Sequence, residues 1–324
     1  MTINGNGGDD YVNRLLSYFK QKFVEKIKEV SQVRENVFIV KTIKNMYMLK
    51  GYSSNHKLKL QEVFTATLRN EGFNHSYIFL QEPIKEPLIF EGTYFGCMEY
   101  IEPGKRPFTF QSYKSRMEGL ELLEEFHQTT ALIAPRYRTL IPIGDIQEKW
   151  KERIHTFSKN TYYLRYFLKE HFIYEILDWG NWSLSGLNEK SAFFSQEPDV
   201  ILHGDVAHHN FLREKSGDLK LIDFDLISIG PEYLDILQYA NRILPSIDWS
   251  FDFLVKHKQI NKYLNEKPFL YALAYPTDIY REWNRLIREK NLTDTYKCKQ
   301  VMELMLEQFY LRRKFVLKLQ ELVK

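Results

Sequence analysis

The chain has 324 residues, 44% of them hydrophobic and 15% aromatic, which is ample for a buried core in one large domain or two lobes. Its 45 basic and 42 acidic residues are interspersed and leave a net charge of +3, which excludes the segregated basic surface of a nucleic-acid binder. No window approaches the ~20 apolar residues of a membrane helix, and Cys97 and Cys298 are too few for a disulfide framework.

The opening MTINGNGGDD is polar and glycine-rich, without the apolar run of a signal peptide, and reads as a loose tip on a cytoplasmic protein. The sequons at Asn74, Asn181 and Asn291 are then chance matches. Residues 11–29 place Val12, Leu15, Leu16, Phe19, Phe23 and Ile27 at helical spacing and predict an amphipathic helix. Val37–Thr42 and Met46–Lys50 predict a hairpin turning at Lys44-Asn45. Over 57–71, Leu60, Val63, Phe64, Thr67 and Leu68 form a helical stripe, which puts Glu62 almost opposite its centre and facing solvent, with Gln61 at its edge. Tyr77–Leu80 and Tyr94–Tyr100 predict two further strands of a small antiparallel sheet, separated by the Pro83–Pro87 loop.

From Gln111 the pattern becomes helical, with Tyr113, Met117, Leu120, Leu123 and His127 on one face. Trp150–Leu177 predicts one or two helices, with a loop at Gly180–Gly186. Gly230-Pro231 predicts a turn before a helix that carries Asp235 near its start, and a long amphipathic run begins near Asp294.

The stretch ILHGDVAHHNFLREKSGDLKLIDFD, residues 201–225, carries the chemistry. It predicts an apolar strand ending at Leu202, a polar loop, a hairpin turned at Ser216-Gly217-Asp218, and a strand Leu219–Ile222 that ends in a carboxylate. Taken singly, its Asp and Asn residues are ordinary turn and cap residues. Taken together, His203-Gly204-Asp205, Asn210 and Asp223-Phe224-Asp225 fall within 23 residues in an order and spacing that resemble the catalytic core of the aminoglycoside phosphotransferase and choline kinase-like family. Histidines 203, 208 and 209 also raise zinc, but no further His or Cys follows at ligand spacing.

The resemblance implies an α+β, protein-kinase-like fold of two lobes: an N-terminal antiparallel-sheet lobe over residues 1–100 that binds nucleotide, and a larger, mainly helical C-terminal lobe over 101–324. It implies ATP and Mg²⁺ as cofactors, Asp205 as the catalytic base, and Asn210 and Asp223, assisted by Asp225, as metal ligands. It implies that Lys50, in YMLK, meets the nucleotide phosphates, that the backbone of Glu99 and Ile101 meets the adenine edge, and that Asp235 hydrogen-bonds the catalytic-loop backbone. Two features depart from the kinase pattern. The Val33-Arg34-Glu35-Asn36 turn has no glycine, and the helix after Lys50 offers no comfortable partner for the lysine, since Glu71 lies on the stripe but in the last turn.

HGDVAHHNFL, LIDFD and the Gly72-Phe73 ending of that helix look most like the bacterial spore-coat proteins of the CotS type. Two functions are therefore expected: phosphoryl transfer from ATP to a hydroxyl of a small molecule, or a catalytically weak relative that assembles with spore-coat proteins. The acceptor is open, because residues 150–180 and 245–290 mix both charges with aromatics.

Overall fold

The computed structural model describes residues 8–188 and 199–324, so most of the tip read as loose, residues 1–7, lies outside them. Packing divides the described chain into two units, the first made of residues up to 108 together with 210–225, the second of residues 109–209 and 226–324.

The first unit opens with α1 (Gly8–Lys22) and β1 (Ile27–Arg34). The helix expected to reach residue 29 stops at Lys22, because the next residues enter extended pairing: Phe23 bridges Ile84, and the Val24 N–H donates to the Pro83 carbonyl at 3.0 Å. The apolar spacing of Phe23 and Ile27 was real, but both are buried outside the helix. The hairpin of β2 (Val37–Thr42) and β3 (Met46–Tyr52) follows as expected, then α2 (Asn55–Asn70), capped by Ser54. The strands β4 (Leu88–Phe90) and β5 (Thr93–Glu99) complete an antiparallel sheet of order β1-β2-β3-β5-β4. Tyr77–Leu80 is no strand: a single bridge from Phe79 to Met98 and two backbone bonds tie it to β5, whose hairpin partner is the short β4.

Side chains alternate across a strand, and here the alternation builds two different faces. Phe38, Val40, Leu49, Phe95 and Cys97 point to α1, where Phe19 meets Phe95 edge-to-face at 5.2 Å. Val37, Met48, Lys50 and Met98 line the opposite face. After β6 (Asp199–Leu202), which belongs to the second unit, the hairpin of β7 (Phe211–Arg213) and β8 (Leu219–Leu221) returns the chain to the first.

The second unit is mainly helical. Its long α3 (Tyr113–Tyr137) buries Leu120, Leu123, Phe126 and His127. The helices α4 (Ile146–Lys159), α5 (Thr161–Leu164) and α6 (Glu170–Asn188) follow. The loop expected at Gly180–Gly186 is helix, since both glycines lie inside α6 as points of close approach. A Cβ at Gly180 would stand 2.3 Å from the Tyr280 hydroxyl, and one at Gly186 would stand 2.3 Å from the Tyr271 ring. Gly230-Pro231, expected as a turn, closes β9 (Ser228–Pro231), which pairs with β6. The remaining helices are α7 (Tyr233–Ile243), α8 (Phe251–Val255), α9 (Lys258–Asn261), α10 (Lys267–Ala274), α11 (Thr277–Arg288), α12 (Thr295–Leu306) and α13 (Phe309–Leu322). The run from Asp294 is thus two helices, parted where Gln308 accepts from Trp249 Nε1 at 2.9 Å and donates to the Pro245 carbonyl at 3.1 Å. Among the described residues no helix is long and apolar enough to cross a membrane.

Gly186→Ala should destabilise the protein although alanine is the better helix former by about 1 kcal/mol. Overpacking against Tyr271 costs about 1–3 kcal/mol and outweighs the propensity gain, which a lowered urea midpoint would register.

Candidate active site

In β3, Leu49 points into the α1 core, so Lys50 is forced to the other face, opposite Val37 on β2 and Gly96 on β5. There Met48, Met98, Ile101, Leu212, Ile222 and Val37 form an apolar slot of about 110 Å³, with Arg34, Lys50 and Asp223 among its lining and Glu99 at its border with Ile101. Lys50 is buried and donates through Nζ to Asp223 Oδ1 at 2.7 Å, with Asp225 Oδ1 also at 2.7 Å. Arg34, from the glycine-free turn, donates through Nη2 to the other Asp223 oxygen at 2.7 Å.

These contacts answer the question of the lysine's partner, because the Asp-Phe-Asp segment supplies both carboxylates. The buried side of α2 is Leu58, Gln61, Phe64, Thr65 and Leu68, a face rotated from the stripe read through Leu60 and Val63. Val63 is exposed and Glu62, expected to face solvent, has only 16% of its side chain exposed and pairs with Lys59 at 2.6 Å. The stripe was misplaced because Gln61 is polar yet central: its Nε2 donates to the Phe224 carbonyl at 2.8 Å.

Asp223 carries a left-handed backbone, φ +71°, a conformation that costs a non-glycine residue free energy and that clusters at functional sites. Burial opposes its ionisation, but Lys50 and then Arg34 more than offset that and hold the carboxyl at about 2. It is therefore an anion at neutral pH. Asn210 is buried, and its backbone carbonyl accepts from Ile222, the residue before Asp223, at 2.9 Å. Asn210 carries an amide oxygen and Asp223 an ionised carboxylate, hard-oxygen donors of the kind Mg²⁺ takes, with substrate phosphates completing the coordination. Among the described residues no group of three or more His, Cys, Asp or Glu could hold a metal unaided.

In the second unit, Gly204 has φ +77°, and a Cβ there would lie 2.2 Å from the Leu226 carbonyl, so only glycine fits between His203 and Asp205. Asp235 holds this loop: its carboxylate accepts from the N–H groups of His203 at 2.7 Å and Gly204 at 3.0 Å, and meets His127 Nε2 at 2.9 Å. Burial works against the charge of Asp235, yet the His127 hydrogen bond and the backbone donors keep its pKa below the usual carboxylate range. Gln238, one turn on, accepts from the Val206 N–H at 2.6 Å and donates to the Gly204 carbonyl at 3.0 Å. Asp205 is partly exposed and takes a hydrogen bond from Arg242 Nη2 at 3.2 Å. Sequence reasoning assigned no role to Arg34, Gln61, Gln238 or Arg242. An arginine in a turn expected to approach phosphates was the one available signal.

No family model matches the chain. A segment of 142 residues is 26% identical to an uncharacterized protein of Metamycoplasma hominis and covers 36% of this chain but only 28% of that protein. The structure is similar to an aminoglycoside phosphotransferase from Alicyclobacillus acidocaldarius, with a TM-score of 0.68 and 15% identity over 94% of each chain. It is similar to the AMP-bound spectinomycin phosphotransferase APH(9)-Ia, with a TM-score of 0.61 and 13% identity over 93% of this chain and 97% of that one. It is also similar to the GDP complex of aminoglycoside 2'-phosphotransferase-IIIa, at 0.59 and 12% over 93% and 98%. The fold is protein-kinase-like. At these identities the likeness is one of fold.

Two outcomes follow from this geometry. Glu62→Ala should change stability by no more than about 1 kcal/mol, since the partner it releases, Lys59, is an exposed side chain that water solvates, whereas Lys50→Ala opens a largely buried pair and should cost up to about 3–5 kcal/mol; equal losses in denaturation midpoint would make Glu62 the lysine's partner. Asp235 contributes stability that is fully present above the ordinary carboxylate range, near pH 4, and lost as pH falls through its depressed folded value. Asp235→Asn should therefore be less stable at pH 7 and lose less between about pH 5 and 3 than the unaltered protein, read from chemical-denaturation curves at each pH.

Proposed function

We propose that this protein is an ATP- and Mg²⁺-dependent phosphotransferase acting on a hydroxyl of a small molecule. The reading is carried by one observation: Lys50 and Arg34 converge on the ionised Asp223 at the mouth of an apolar slot. A flat apolar base beside two cations and a carboxylate is what a nucleotide polyphosphate with its metal requires. The descriptions of the similar structures, with AMP or GDP bound, support a nucleotide in this role.

In this reading the base of ATP lies between Val37, Met48 and Met98 on one side and Leu212 and Ile222 on the other, with the Glu99–Ile101 backbone at its edge. Lys50 and Arg34 meet the phosphates, and Arg34 supplies by charge what a glycine-rich turn would supply by backbone N–H groups. Bound Mg²⁺ would neutralise phosphate charge, with Asn210 and Asp223 as its protein ligands. Asp225, within reach of Lys50 in the present geometry, serves first to anchor the lysine and only secondarily as a ligand. In this reading Asp205 accepts the proton of the acceptor hydroxyl as its oxygen bonds to the γ-phosphorus and the bond from that phosphorus to the β,γ-bridging oxygen breaks, releasing ADP; the loop that holds Asp205 is fixed by Asp235 and Gln238.

A catalytically weak relative is the second reading, and the specific feature in its favour is Gln61, an amide on the face of α2 where a carboxylate is usual in kinases. An assembly role, such as the spore-coat role implied by the CotS-type resemblance, draws no support from the structures named above.

ATP with Mg²⁺ should raise the melting temperature, ATP alone should raise it less, and Arg34→Ala should reduce the rise. Asp205→Asn should preserve this rise yet lower transfer by about 10²–10⁴. No nucleotide-dependent shift at millimolar ATP would defeat the phosphotransferase reading, and a shift without any turnover over a broad acceptor panel would favour the weak relative.

A further inference from the structure

The second unit holds a cavity of about 650 Å³, within the size range of small-molecule sites. It belongs to the same unit as Asp205, and Arg242, which donates to Asp205, is part of its wall. Its other polar lining comes largely from one side of α11. Ile279, Tyr280, Trp283 and Leu286 of that helix are buried, while Asp278, Arg281, Glu282 and Arg285, spaced three and four residues apart, form the cavity side. From α12 comes Lys297.

Both charges are present, but not on equal terms. The Glu282 side chain is 12% exposed and its carboxylate lies within 3.0 Å and 2.5 Å of Arg281 and Arg285, whose side chains are 44% and 56% exposed. Asp278 is taken up by the buried Arg312, a residue outside the cavity lining, at 2.5 Å. Glu289 is the exposed carboxylate of the wall, and it accepts a hydrogen bond from Asn291 at 3.0 Å. The wall therefore offers a ligand chiefly cations: Arg281, Arg285, the remaining N–H groups of Arg242, and the half-exposed Lys297, which lies 3.7 Å from Asp294 outside the lining. Phe110, Leu286, Val301 and Leu304 add an apolar side.

We infer that the acceptor is a hydroxyl compound bearing an oxyanion, a carboxylate or a phosphate ester, held by Arg281 and Arg285. This rests on the proposed phosphotransferase reading and names its substrate class. A polycationic acceptor of the aminoglycoside kind would instead set like charges against Arg281, Arg285 and Lys297, and like-charge juxtaposition disfavours binding. Guanidinium groups suit the inferred ligand because their paired N–H donors match carboxylate and phosphate oxygens.

The test uses four probes of one six-carbon skeleton: gluconate, glucose 6-phosphate, glucosamine and glucose, titrated into the full chain by calorimetry without nucleotide. At least one anion should bind about tenfold or more tighter than glucosamine and glucose, and comparing gluconate with glucose 6-phosphate separates carboxylate from phosphate. Arg281→Gln with Arg285→Gln should lower that affinity about tenfold or more, and Glu282→Gln, which frees both guanidiniums, should raise it. Tighter binding of glucosamine, no charge preference, no binding of any probe, or unchanged anion affinity in the double variant would each overturn the inference. ATP–Mg²⁺ binding, measured on the same preparations, separates the two readings: nucleotide binding without anion preference defeats only the substrate class, while anion binding without nucleotide binding defeats the phosphotransferase.

Discussion

A buried ammonium that cannot be left unpaired organises the first unit. Because Tyr47 and Leu49 must enter the α1 core, Lys50 has to leave on the opposite face, where it is buried. Burying a charge costs several kcal/mol unless an opposite charge meets it, and the carboxylates that do so come from Asp223 and Asp225, more than 170 residues further along the chain. The segment 210–225 must then pack with residues that precede 109. Three ties accomplish this: the Leu221 N–H donates to the His75 carbonyl at 2.7 Å, the Lys215 N–H to the Glu102 carbonyl at 2.8 Å, and Phe211 stacks on Phe108 at 4.9 Å. The ion pair is thus inseparable from the chain's return to the sheet.

The same pairing accounts for the amide at position 61. Gln61 Nε2 donates to the Phe224 carbonyl, so α2 grips the backbone between the two aspartates rather than the lysine itself. An ionised glutamate has no proton to donate, and at this position it would set oxygen against oxygen. With the amide holding the backbone, the countercharge to Lys50 has to come from the segment being held. Phe224 packs edge-to-face on Phe64 of α2 at 5.3 Å, which fixes the spacing of helix and segment by apolar contact.

What could be read from sequence depended on whether one local signal decided the outcome. The β2–β3 hairpin was legible because alternation and a turn agree, and the residues from His203 to Asp225 because residue type and spacing agree. β1 was missed since IKEVSQVR is polar and almost wholly exposed, so its strand state is set by pairing with β2. Gly180 and Gly186 read as loop because a glycine's contact partner, here Tyr280 or Tyr271, lies far along the chain, 100 and 85 residues away. The phase of α2 failed for a related reason: hydropathy ranks Val63 above Gln61, whereas a single long-range hydrogen bond reverses their burial. Of the candidate site, the residues were legible but not their partners, since every decisive contact of Lys50 is nonlocal.

In the second unit one helix face does the positioning. Asp235, Gln238 and Arg242 stand three and four residues apart on α7 and so share one side of it. The first two hold the backbone of His203, Gly204 and Val206, and the third reaches the Asp205 side chain and the cavity wall. Since Gly204 alone permits the turn between them, the loop has a fixed backbone and a partly exposed carboxylate at its tip. A side chain carried on a loop fixed in this way has few alternative positions, which is the property that the proposed base role of Asp205 draws on. Arg281 and Arg285 sit on α11, separate from Asp235 and Gln238, which hold the loop backbone, while Arg242 is the residue of this face that joins the Asp205 side chain to the cavity wall. On the proposed reading, the acceptor preference can therefore change through α11 while the backbone of the Asp205 loop stays held from α7.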